Sequence, residues 1–187
     1  SSGAGGARTL YAELDNHGTV TVQQPLLIDY DGASHTNSGT FSVGAYLHLR
    51  LDSATFANTG SMTFTDGADF FIDPSGITPS FTTSGTLALG SGNMLIDNGA
   101  FNYAGGTMTG TGTQTYTTVT LNLSNGLSNA DAEILLSSSI VNGPGTLTNA
   151  AGRSLLLFYI TCNADLANLG DLTCRGDVYI NNGFDSS

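Results

Sequence analysis

Asp29, Asp52, Asp73 and Asp97 each stand at the end of an apolar run, a spacing that would stack carboxylates in a file. Carboxylates about 5 Å apart repel one another, and Ca²⁺ relieves such crowding with oxygen ligands. The same aspartates also read as turn formers, because the Gly-Gly-x-Gly-x-Asp calcium repeat is absent. We expect no resident cofactor, with Ca²⁺ on this file the one candidate. Asp66 and Asp69, near Asp73, form the densest acidic group. A glycoside hydrolase needs two carboxylates at a fixed separation across a cleft. A polysaccharide lyase needs basic groups, and this chain has no lysine and only Arg8, Arg50, Arg153 and Arg175. No Ser–His–Asp or Cys–His spacing is discernible. The chain therefore reads as a non-enzyme, with polysaccharide processing kept as an alternative.

Three other sets of residues have chemical potential. His17 lies beside a turn glycine, His35 takes a position held elsewhere by Phe or Leu, and His48 alternates outward with Arg50. Thr19 and Thr21, Thr40 and Ser42, Ser61 and Thr63, Thr86, Thr107 and Thr109, and Thr146 and Thr148 would line one outer face, and a flat Thr-x-Thr ladder of this kind would order water. That pattern makes ice binding a second alternative, although Thr suits any exposed strand and Ala88 and Asp171 interrupt the file. Cys162 and Cys174 are a candidate disulfide across the last two coils or two free thiols. They form no CxxC motif.

The elements that would hold these residues announce themselves by repetition. "NSGTFSV" at Asn37 to Val43 returns as "NHGTVTV" at Asn16 to Val22, "NTGSMTF" at Asn58 to Phe64 and "TSGTLAL" at Thr83 to Leu89. Aligned on glycine, the phrase marks Gly18, Gly39, Gly60, Gly85, Gly106, Gly145 and Gly170, with Gly126 splitting the longest gap. After each glycine, apolar residues alternate with polar ones, the signature of a half-buried strand. A second apolar run follows, as in "PLLIDY" and "NMLID", and often ends in turn chemistry such as Asp31-Gly32, Asp73-Pro74-Ser75-Gly76 or Asp97-Asn98-Gly99. A short third strand falls near Phe56 or Phe101.

A unit this short cannot bury its own apolar face, but identical units stacked on one another can. The expected fold is all-β, a single parallel β-helix or β-solenoid over residues 1–187. It has about eight coils of roughly 21 residues. Parallel crossovers favour a right hand. The glycine should serve the corner. The asparagine should either tolerate a left-handed backbone or form a ladder with its copies. The four extra residues after Gly60 and after Gly145 should loop out at corners.

Composition narrows the function classes. The net charge is −11, which excludes the basic footprint that nucleic acid requires. No apolar run reaches membrane-span length, so no membrane insertion is expected.

The recurring "NSGTFSV" and "NHGTVTV", the "LLID" and "MLID" that follow, and "YAGGTMTGTGT" at Tyr103 to Thr113 resemble the degenerate repeats of large secreted bacterial surface proteins. Filamentous haemagglutinin-like adhesins and autotransporter passenger domains are the nearest. The resemblance covers essentially the whole chain and implies an extracellular stalk or adhesive rod. It carries no catalytic residue. The expected partners are neighbouring repeats of a longer parent chain or other copies, and glycans or a cell surface.

Overall fold

In a computed structural model that describes residues 6–73 and 79–186, the chain winds into a β-solenoid of about nine turns. Every strand pairing among the described residues is parallel, and no helix occurs among them. Each coil lays one strand on each of three faces. The first face begins with Arg8–Leu10, Leu26–Asp29, Leu47–Arg50 and Phe70–Ile72. The second carries Ser34–Asn37, Thr55–Asn58 and Ser80–Thr83. The third carries Thr19–Val22, Thr40–Val43, Ser61–Phe64, Thr86–Ala88 and Thr107–Thr109.

Alternation decides what goes inside. On the third face Phe41, Val43, Met62, Phe64 and Leu87 are buried, and the intervening Thr and Ser side chains point out. On the second face Phe56, Phe81 and Phe101 stack coil on coil with ring centroids 5.8 and 5.6 Å apart. Such offset aromatic contacts add to the area they bury.

The structure has about nine turns where the repeat predicts eight. The additional turn is made up at the two ends, by Arg8–Leu10 paired with Leu26–Ile28 ahead of the first phrase and by Phe184–Ser186 paired with Leu166–Asn168 after the last, neither of which the repeat count included. The inserted residues after Gly60 are divided between two corners. The register moves from Ser42 against Thr63, to Leu47 against Phe70, to Phe56 against Phe81. The second of those corners contains Pro74–Gly76 of the predicted turn, which lies outside the described residues.

No insertion follows Gly145. The coils shorten there instead, with Leu147 against Leu166 and Leu155 against Leu172. Gly170 accordingly belongs to another corner. It leads into the first-face strand, where Asp171 pairs with Ser154, so Asp171 does not interrupt the threonine file either. "NLG" imitates the repeat phrase without sharing its place.

The glycine column has a reason other than turn conformation. A Cβ built on Gly39, Gly60 or Gly85 would meet the carbonyl oxygen of the glycine one coil below at 2.1, 2.2 and 2.0 Å. None of these three has positive φ. The side chain is excluded because two backbones cross at van der Waals distance. Gly18, in the lowest copy of the phrase, has nothing within 4 Å.

Candidate functional surfaces

The asparagine of the phrase forms a ladder. Asn16 Nδ2 donates to Asn37 Oδ1, and Asn37 Nδ2 to Asn58 Oδ1, each at 2.7 Å. The column ends on the Thr83 hydroxyl at 3.1 Å. Asn37, Asn58 and Thr83 are fully buried, and each asparagine amide donates both to its neighbour in the stack and to a backbone carbonyl of the next coil. A second inner ladder, which the repeat alignment missed, runs Asn129 to Asn149 to Asn168 at 2.7 Å per step. It lies at the corner where the third face meets the first. A third ladder runs up the outside of the second face through Asn102, Asn122, Asn142, Asn163 and Asn181. Asparagines at near-constant spacing outside the phrase were the available signal.

The predicted aspartate file breaks up. Arg50 pairs in register with Asp29 and bonds it at 3.1 Å. A built-in guanidinium thus stands where successive carboxylates would have repelled one another. Asp52 lies two residues past Arg50, out of the file. It gathers instead with Asp29 and Asp31, whose carboxylate oxygens lie within 4.8 Å of one another and of Asp52. These three are the residues positioned to hold a cation, with Arg50 competing for Asp29. Asp73 and Asp97 stand farther along the first face. Asp69 accepts the Asn93 N–H at 2.8 Å as a corner residue, and Asp69 and Asp73 sit at opposite ends of the strand Phe70–Ile72.

The histidines occupy three different environments. His17 is exposed and bonds Asp15 at 3.1 Å and Ser38 at 2.7 Å. His35 is buried, with its Nδ1 accepting the Leu14 N–H at 3.1 Å. That bond requires an unprotonated Nδ1. Burial lowers the His35 pKa, opposed by the Glu13 charge. His48 faces outward, stacks on Phe71 at 4.6 Å, and also has a lowered pKa, chiefly from burial.

Both thiols are free, so the candidate disulfide does not form. Cys162 is buried on the second face opposite Ile180, and Cys174 is exposed on the first face opposite Leu157. They lie on different faces of successive coils, which keeps them from bridging. Burial pushes the Cys162 thiol above its ordinary pKa.

The hydroxyl file is regular. Thr19, Thr40, Ser61, Thr86 and Thr107 pair in succession, and so do Thr21, Ser42, Thr63, Ala88 and Thr109. Thr146 and Thr148 fall on a separate sheet and do not extend it. The opposite character appears on the first face. Its outward column reads Leu27, His48, Phe71 and Leu95, then Thr115, Leu135 and Leu156. Runs such as "LLID" conceal this stripe, because a continuous apolar run does not say which residue points out.

No family model matches this chain, and no curated protein and no solved structure does either.

Proposed function

We propose that this chain is a shaft segment, a structural or adhesive rod of an extracellular surface or matrix protein. The supporting observation is where the repeated residues go. Glycines lie over the backbone carbonyls of the coil below, asparagines ladder in the interior, and aromatics stack along the axis. The repeat is thus devoted to joining coil to coil, which suits a molecule whose output is length. About nine rungs at about 4.8 Å give a rod on the order of 40 Å. Further coils, from a longer parent chain or from other copies, are the partners such a rod stacks on, and filament formation follows the same geometry. In this reading the chain is not an enzyme, holds no resident cofactor, binds no nucleic acid and inserts in no membrane.

The test is a broad glycan and cell-surface array probed with the folded chain, in Ca²⁺ and in chelator, beside electron micrographs. A specific hit makes the shaft adhesive, and chelator sensitivity assigns a cation to Asp29, Asp31 and Asp52. A clean negative with end-to-end rods makes it a spacer or filament subunit. Release of reducing sugar or unsaturated product from a polysaccharide would overturn the reading.

A second reading rests on the hydroxyl file, two columns held in register over five strands of the third face. Ice binding predicts thermal hysteresis that Thr63→Tyr abolishes.

A further inference from the structure

The outward stripe on the first face is the feature that building a rod does not require. A solenoid needs apolar residues inside, and Leu27, His48, Phe71 and Leu95 point out on four successive rungs. All four are only half-buried, so apolar surface remains open along them. Tyr46 stands beside the stripe, 38% exposed, with its ring 6.0 Å from His48. Tyr46, Phe70, Phe71 and Leu95, with Asp69 and Asn93, line a concavity of about 320 Å³. A contiguous apolar surface rimmed by polar groups is the usual mark of an interaction site.

The rim is acidic on both sides. Asp69 borders the stripe at the start of its strand, and Asp29, Asp73 and Asp97 border it at the strand ends. Arg50, the basic group in that row, is held by Asp29 at 3.1 Å. The Tyr46 phenol reports the resulting field, since its pKa is pushed up by burial first and then by the Asp69 and Asp73 charges. A second copy of this chain, at net charge −11 and without lysine, would bring like charge to this surface. The complementary partner is cationic.

Spacing selects its conformation. The rungs recur about every 4.8 Å along the stripe. Same-face residues of an extended strand recur about every 6.8 Å and lose step within two rungs. The apolar ridge of an α-helix recurs about every 5.4 Å and stays within reach over four.

We propose that the first face, from Leu27 to Leu95, docks a basic amphipathic helix of another polypeptide. Its apolar ridge lies along the stripe, a large side chain enters the concavity beside Tyr46, and its Lys or Arg residues reach Asp69, Asp73 and Asp97. The site is independent of whether the rod is a spacer or an adhesin.

The probe is a fluorescein-labelled, end-capped 14-residue peptide of Leu and Lys in helical period, measured by anisotropy against the full chain at low and high salt. Saturable binding is expected, with helix induced in the peptide's circular dichroism. Leu95→Ser should weaken it about tenfold, as expected for one buried leucine. Asp73→Asn should weaken it less and flatten the salt dependence. Phe71→Ser should weaken it and Phe71→Leu restore it, which separates docking from misfolding. Thr21→Ala on the third face should leave it unchanged. Absence of binding, equal binding of a Leu/Glu peptide, tighter binding of a strictly alternating Leu-Lys peptide, or binding insensitive to Leu95→Ser would each overturn the proposal.

Discussion

The two halves of the rod solve the same corners differently. In the first half the inner asparagine ladder sits where the second face meets the third, and in the second half it sits where the third meets the first. The earlier coils turn from the first face to the second through several residues, as at Asp29 to Ala33 with Gly32 at φ 69°. The later coils turn about one aligned residue, with Gly99 left-handed as well on the first of these rungs, and the strands Met94–Tyr103, Thr113–Leu123 and Ser154–Cys162 run through the bend without stopping. That residue is left-handed on every rung, at Asn98, Thr118, Ser138, Tyr159 and Gly176, with φ from 49° to 79°. One winding period therefore tolerates two corner chemistries, provided that each corner stacks on its own kind.

The glycine column gives the largest effect by which to break this comparison. Gly60→Ala places a Cβ 2.2 Å from the Gly39 carbonyl and should cost more than about 3 kcal/mol in urea denaturation. Gly18→Ala, with open space around it, should stay within about 0.5 kcal/mol. Equal losses would show that backbone crossing is not what selects glycine.

Next are the ladders. Asn37→Ala removes a partner from two buried neighbours and Asn149→Ala from one buried and one half-buried neighbour; each should cost about 2–3 kcal/mol, and Asn168→Ala, at one end of its ladder, about half as much. Matching values for Asn37 and Asn149 would make the two corners energetically equivalent.

Acid should then separate the halves, since all three histidines lie between His17 and His48. The folded His35 pKa is below the ordinary 6.5, so from about 6.5 downward the unfolded chain binds the extra proton. The His35 contribution is complete above that value and is lost as pH falls towards the folded pKa. Hydrogen exchange at pH 7 and pH 5 should show the first coils losing protection before the last. His35→Phe, which continues the Phe56, Phe81 and Phe101 column, should narrow the difference, with the remainder left to His48, whose pKa burial also lowers.

The smallest effect has the opposite sign. Thr118→Gly relieves a β-branched residue at φ 57° and should stabilise the fold by about 0.5–1 kcal/mol after the entropy of the added glycine. No gain on calorimetry would mean that the stacked corner already absorbs the strain.

Much of this architecture was legible in the residues. The period, the inward aromatics, the ladder of the phrase asparagines and the packed position of His35 all follow from alternation and alignment, because parallel stacking repeats a position each coil. The first of the later corners was legible as Asp97-Asn98-Gly99, but those at Thr118, Ser138 and Tyr159 were hidden, since no glycine or asparagine marks them and the left-handed backbone recurs in register with the residues above and below. Gly170 was misread because "NLG" satisfies a local pattern at a different corner, and only register distinguishes the two. The aspartate file failed for a similar reason. Counting residues put Asp52 above Asp29, and hydrogen-bonded register puts Arg50 there. The candidate partner surface was concealed by chemistry, since an outward leucine between two inward ones reads as more core.

The inner ladders also give the rod a direction. Asn16 Nδ2 is held by both Asn37 Oδ1 and the Thr40 carbonyl, and Asn129 Nδ2 by both Asn149 Oδ1 and the Ser154 carbonyl, so neither amide can turn over without losing two acceptors. Every amide dipole in both ladders points along the axis the same way, each polarising the next. The shaft is therefore a vectorial object: a rung that meets the donor side must bring an oxygen, and one that meets the acceptor side must bring an N–H.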